Sequence, residues 1–146
     1  MRILVDGDAC PQRQEIAKIA VKFHVPMIVF TDYAHIMENQ FYEVRTCEIG
    51  KDNVDFMIIN EAQTGDLVIT QDYGLASLVL VKGALVLHVS GMMIDQHNID
   101  ELLMKRYMGC KNRHIHKHFR GPKKRTEETK IFFIEQFLKI VEERNR

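Results

Sequence analysis

Near its start the chain reads ILVDGDACP, an apolar run from Ile3 to Val5 followed by two aspartates, Asp6 and Asp8, on either side of a glycine. Near its middle, GDLVITQDYGLA repeats the arrangement, with Leu67 to Ile69 followed by Thr70 and Asp72. In open parallel α/β sheets the ligand crevice lies outside the carboxyl ends of the strands. If these two strands are neighbours, Asp6, Asp8 and Asp72 converge on one rim. Asp52 and Asp55, spaced i and i+3 at the start of a candidate helix, share one face of it and can point to the same place. Carboxylates held that close repel one another unless a cation neutralises them, and hard divalent ions such as Mg²⁺ or Mn²⁺ take oxygen ligands. Each aspartate also has a plainer reading as a turn or cap residue. Asp52 reads first as a helix cap, and Asp66, which precedes its strand at the opposite edge, reads as a plain turn with Gly65 and is set aside.

These side chains need elements to hold them. Apolar runs at 3–5, 27–30, 44–49, 67–69 and 84–89 read as about five strands. Between them lie helical patterns. Ile16, Ile19, Ala20 and Phe23 form one apolar stripe, Val54, Met57, Ile58 and Ala62 a second, and Leu75, Leu78 and Val79 a third, closed by Gly83. The span from Tyr33 to Tyr42 is ambiguous. Strands that are apolar throughout, alternating with helices, imply a mainly parallel sheet covered on both faces, an α/β fold. Asn98 to Met108 reads as a helix, residues 109–125 as a basic loop, and residues 126–144 as a final helix with Ile131, Ile134, Phe137, Leu138 and Val141 on its apolar side. With 146 residues, a single domain is expected.

The formal net charge of zero conceals a segregation. Residues 1–104 hold 7 Lys/Arg against 15 Asp/Glu, whereas residues 105–125 hold 9 basic residues and no acidic one. Arg113, Lys117, Arg120, Lys123, Lys124 and Arg125 suit contact with phosphate, although a basic loop can also simply balance an acidic body. His114, His116 and His118 alternate and would share a face in a strand, but a solvated loop accounts for them better. Phe119 reads as a packing anchor more than a base-stacking platform. Cys10, Cys47 and Cys110 are too few and too widely spaced for a disulfide framework or a four-cysteine zinc site, which suits a reducing compartment. Cys10 reads as a small packed thiol. No apolar run approaches the ~20 residues of a membrane span, and the N-terminus lacks the pattern of an export signal, so a cytoplasmic protein without membrane contact is expected.

VDGDACP, GDLVITQDYGLA and a late GPKKRT, in this order over essentially the full chain, resemble the uncharacterised bacterial YaiI/YqxD family, which is assigned to the PIN-like nuclease superfamily. The resemblance implies a three-layer α/β/α sandwich with a central parallel sheet and an acidic pocket at its carboxyl edge. By similarity to PIN-like nucleases, Asp6 matches the acid ending the first strand, Asp55 an acid on a mid-chain helix, and Asp72 the acid of the T-x-D motif, while Asp8 and Asp52 match further family acids. This chain departs from the pattern in having no second acid shortly after Asp72 and in having Thr129 where the family often has Asp.

The leading expectation is a nuclease that hydrolyses phosphodiester bonds, acting on RNA. Asp6, Asp8, Asp55 and Asp72 are its catalytic set, and with Asp52 they are its ligands for Mg²⁺ or Mn²⁺. Thr70 and the basic residues are assigned to the polyanion. Since PIN-like relatives often pair, a homodimer is the oligomer the resemblance suggests. One alternative is a nucleic-acid-binding or regulatory PIN-like module without catalysis, favoured by the missing acid after Asp72. Another reads Asp6-Gly7-Asp8 as the D-x-D of a haloacid-dehalogenase-type phosphatase, with Thr70 as the phosphate-binding hydroxyl and Lys82 as the only lysine placed to supply its ammonium.

Overall fold

A computed structural model describes residues 1–7, 10–32, 42–48, 50, 53–115 and 126–144, excepting the side chains of residues 110–115. The elements are β1 (Ile3–Asp6), α1 (Arg13–Lys22), β2 (Met27–Asp32), β3 (Glu43–Cys47), α2 (Asn53–Glu61), β4 (Leu67–Thr70), α3 (Tyr73–Val81), β5 (Leu85–His88), β6 (Met93–Ile94), α4 (Ile99–Ile115) and α5 (Glu127–Arg144). The five expected strands are all present, and they form one sheet in the order β3-β2-β1-β4-β5-β6. Each pairing from β3 to β5 is parallel; only β5 and β6 are antiparallel. The two-residue β6 has too little sequence for any periodicity to register, and was missed for that reason.

Layering follows from the pleat. Ile3, Val5, Met27, Val29, Leu67, Ile69 and Leu87 pack with α1 residues Ile16, Ala17 and Ala20 and with α5 residues Phe133, Phe137 and Val141. Their alternates Leu4, Ile28, Phe30, Val68 and Val86 pack with α2 and α3 through Val54, Ile58, Leu75, Ala76, Val79 and Leu80, and with Ile99 at the start of α4. The result is the expected three-layer sandwich, α1 and α5 on one face and α2, α3 and α4 on the other. Both faces being covered, β1 and β4 are buried along their whole length.

Several details differ from expectation. The buried stripe of α5 is Phe133, Phe137 and Val141, while Ile131 is exposed; it sits half a turn from that stripe. On α3, Leu78 is exposed for the same reason, and Leu75, Ala76, Val79 and Leu80 face inward. The helix expected to stop at Met108 continues to Ile115, so Arg113 and His114 stand in a helix and not in a loop. Gly109 lowers helix propensity by about 1 kcal/mol, too little to end a helix led by the good helix formers from Glu101 to Arg106. Lys117, Arg120, Lys123, Lys124 and Arg125, with His116, His118 and Phe119, lie outside the described residues, as do Asp8, Asp52 and the span 33–41.

The amino edge of the sheet is clasped by ion pairs. Arg2 Nη1 bonds Glu61 Oε1 at 2.6 Å, Arg2 Nη2 bonds Asp66 Oδ2 at 2.8 Å, and Arg45 Nη1 reaches Glu61 Oε2 at 2.8 Å. Asp66 is therefore more than a turn residue: it is buried and also accepts the N–H groups of Arg2 and Gln63. The hydrogen bond from Arg2, helped by Arg45, holds the Glu61 carboxyl below the usual carboxylate range. Among the described residues no helix is long and apolar enough to cross a membrane.

Candidate functional site at the carboxyl edge

The strand order reverses direction between β1 and β4. From β1 the chain moves outward through β2 and β3, then returns to build β4 and β5 on the other side. Loops leaving two such strands diverge, which opens the crevice where ligands bind in doubly wound sheets. Asp6 ends β1 and Thr70 ends β4, and the two strands are parallel neighbours, which is the condition for their acids to share one rim.

Parity then fixes which face each side chain takes. Asp6 follows Leu4, and Thr70 follows Val68, so both point to the side of α2 and α3. The Thr70 hydroxyl donates to Asp6 Oδ2 at 3.1 Å and accepts the Asp72 backbone N–H at 3.0 Å. Thr70 is completely buried and Asp6 nearly so. One hydroxyl thus ties the β1 acid to the turn that presents Asp72. Gly7 brings β1 and β2 together just beyond Asp6: its N–H bonds the Phe30 carbonyl at 2.8 Å, and a Cβ there would stand 2.7 Å from that oxygen and 2.8 Å from Val29 Cγ1. The glycine of D-G-D is therefore required by close backbone approach.

Asp72 is the N-cap of α3, and its Oδ1 accepts the N–H groups of Gly74 at 2.8 Å and Leu75 at 3.1 Å. The same Oδ1 lies 3.2 Å from Arg106 Nη1, an arginine on α4. Its cap role and its candidate site role therefore fall on different atoms, since Oδ2 carries no hydrogen bond among the described residues. Asp55 lies in the first turn of α2, the helix covering β1 and β2, and α2 enters from the carboxyl end of β3. It is half-buried on the same side of the sheet.

Two further residues of this edge were not anticipated. Asp32 ends β2 two residues after Phe30, so the pleat carries it to the same face as Asp6. The sequence signal was an acid closing an apolar run, the same pattern that marked Asp6, but in MIVFTD it reads as the boundary of a strand. His88 ends β5 in register with Thr70, and its ring lies 5.6 Å from that of Tyr73. Its Nδ1 lies 3.0 Å from the Ser90 backbone N–H and 2.8 Å from the Ser90 hydroxyl. Asp32, Asp6, Thr70 and His88 thus close four consecutive parallel strands on one face. Among the described residues, no three His, Cys, Asp or Glu side chains form a set able to hold a metal ion. Asp8 and Asp52 fall outside that set of residues.

The lysine needed for the phosphatase alternative is elsewhere. Lys82 follows the last turn of α3, and its Nζ donates to the carbonyls of Ile59 and Asn60 at the end of α2, on the amino side of the sheet. Cys10 is packed in the core, as expected of a small apolar thiol.

Residues 4–143 match the family model described as "Uncharacterized BCR, YaiI/YqxD family". Among curated proteins, the chain is 45% identical over 141 residues to a UPF0178 protein of Clostridium tetani, covering 97% of each chain. It is 43% identical over 138 residues to one of Alkaliphilus oremlandii, covering 94% of this chain and 88% of the relative. A third, from Oceanobacillus iheyensis, is 40% identical over 144 residues, with 97% and 99% covered. No solved structure matches the chain significantly.

Proposed function

The chain belongs to the YaiI/YqxD family, and from that premise and the geometry of its carboxyl edge we propose that it is a divalent-cation-dependent phosphodiesterase acting on RNA. The observation that carries the reading is the line Asp6–Thr70–Asp72 across the switch point of the sheet. It ties the Asp6 carboxylate to the backbone of the turn that carries Asp72, whose Oδ2 has no hydrogen bond among the described residues. An all-oxygen donor set of carboxylates suits Mg²⁺ or Mn²⁺ better than a softer ion. Asp6 and Asp72 would hold it, joined by Asp55 and by Asp8 and Asp52, whose placement lies outside the described residues. A cation there supplies charge neutralisation and an activated water.

The chain's own groups do the rest. Thr70 fixes the Asp6 carboxylate and the Asp72 backbone in one orientation, and the N-cap bonds keep Asp72 from turning away. The basic residues from Arg113 to Arg125 would draw the polyanion towards an otherwise acidic body, so RNA binding should weaken steeply with salt. Cytoplasmic residence and a homodimer fit this reading and belong to the proposal.

A second reading is a nucleic-acid-binding module without turnover. It is favoured by the commitment of Asp72 Oδ1 to helix capping and to Arg106, and by the absence of a three-residue donor set among the described residues. Calorimetric titration of Mn²⁺ into the wild type and Asp6→Asn, followed by incubation of both with mixed single-stranded RNA, separates the two. Binding and cleavage, both lost in the variant, support the nuclease; binding without cleavage supports the module; no binding by the wild type overturns the cation site.

A further inference from the structure

We propose that Arg106 is a resident counter-cation of the acidic crevice, occupying Asp72 until a divalent ion arrives and then turning to a phosphate of the bound strand. The inference rests on the cation-dependent reading above and adds to it a residue and an order of events. Arg106 lies on α4, in a layer different from the strand ends, yet its Nη1 reaches Asp72 Oδ1 at 3.2 Å. The guanidinium also borders Gly74, at 3.7 Å from where a Cβ of that residue would stand, so it sits over the N-terminus of α3. Its side chain is 53% exposed, against 30% for Asp72. It therefore lies at the mouth of the crevice, with room to swing away from its acid.

The electrostatics give the order of events. Asp72 Oδ1 already accepts two backbone N–H groups, so the guanidinium adds a third donor to an oxygen whose cap bonds survive without it. A divalent cation on the neighbouring Oδ2 would repel the guanidinium at close range while making the site a better seat for an anion. Arginine suits both partners, because its planar fork pairs with carboxylate and phosphate alike. α4 then runs on from Arg106 through Lys111 and Arg113 to Ile115.

The test compares wild type, Arg106→Gln and Arg106→Lys for Mn²⁺ affinity by calorimetry, and for binding of a cleavage-resistant single-stranded RNA by fluorescence anisotropy, with Mn²⁺ and with chelator. Removing a competing exposed ion pair should tighten Mn²⁺ binding by about three- to five-fold in Arg106→Gln. RNA affinity of that variant should fall in Mn²⁺, with the salt slope reduced by about 0.7, and should match the wild type in chelator. Arg106→Lys should lie between. Unchanged Mn²⁺ affinity, or an RNA defect equal in Mn²⁺ and chelator, overturns the role of Arg106 while leaving the cation site standing. A wild type that binds no Mn²⁺ overturns both. A purely structural tie between α4 and α3 would lower thermal stability and move neither binding readout.

Discussion

Replacing Thr70 by valine tests whether one hydroxyl organises the carboxyl edge. Valine has the same shape, so no cavity forms, but Asp6 Oδ2 loses a donor and the Asp72 N–H loses its acceptor. Thr70 is fully buried, so water does not replace it at no cost. A bond to a carboxylate contributes about 1.5–3 kcal/mol and a neutral one about 0.5–1.5 kcal/mol. Because Asp72 is partly exposed, the lower part of the combined range applies, about 2–3 kcal/mol. In a domain of this size that lowers the Tm by about 6–10 °C. Thr70→Ser keeps both bonds and loses one methyl, about 1 kcal/mol. Scanning calorimetry on the two variants gives the contrast directly, and Mn²⁺ titration of each asks whether the carboxylates still act together. Affinity should fall by at least ten-fold in the valine variant and by much less in the serine variant. A valine variant as stable as the serine one would refute the claim that the hydroxyl bridges two groups needing it; an unchanged Mn²⁺ affinity would refute its part in the site.

Three other outcomes are expected. Asp6→Asn should abolish Mn²⁺ binding with little effect on RNA affinity in chelator, while neutralising Lys117, Arg120, Lys123, Lys124 and Arg125 together should do the reverse; equal loss of both properties in both variants would sink this division of labour. Gly7→Ala should destabilise by about 1–3 kcal/mol in urea titrations, because its Cβ would stand 2.7 Å from a backbone oxygen that cannot rotate away. Glu61→Gln should remove about 0.5–1 kcal/mol at neutral pH, discounted for the partial exposure of its ion pairs. The folded-state pKa of Glu61 is depressed below 4.5, so its contribution is full above that pH and is lost as the pH falls through the folded value. Stability curves of the wild type and Glu61→Gln should therefore converge in acid, and a gap that widened there would contradict the ion-pair origin.

The sheet was legible because its signals are local and strong. Leu67, Val68 and Ile69 form an unbroken apolar run, and a strand covered on both faces is what needs that composition. The helix boundaries were less so. Tertiary packing decides which of several apolar residues turns inward, and in IFFIEQFLKIV a stripe through Phe133, Phe137 and Val141 displaces one through Ile131. Gly109 misled in another way, since an isolated glycine weakens a helix without ending it, and α4 carries straight through.

The candidate site was legible only where chemistry and strand ends coincided in a familiar spacing. Asp6 and Asp72 stood out as acids after apolar runs, but their connection through Thr70 depends on β1 and β4 lying side by side, a pairing between residues 64 apart in sequence. Arg106 was invisible for the same reason: nothing local distinguishes it from Lys105, whose partner is Glu101 one turn back on the same helix. What distinguishes it is that α4 packs against α3, so a side chain from the basic end of the chain meets an acid from the body. That meeting gives the charge segregation a structural sense. The excess of acid in residues 1–104 gathers its strand-end carboxylates at the sheet's carboxyl edge, and the excess of base begins on the helix that overhangs the same edge. Asp6 is buried at the end of β1 and is held by Thr70, so Asp6→Asn and Thr70→Val are the variants that ask whether this edge does more than cap a helix.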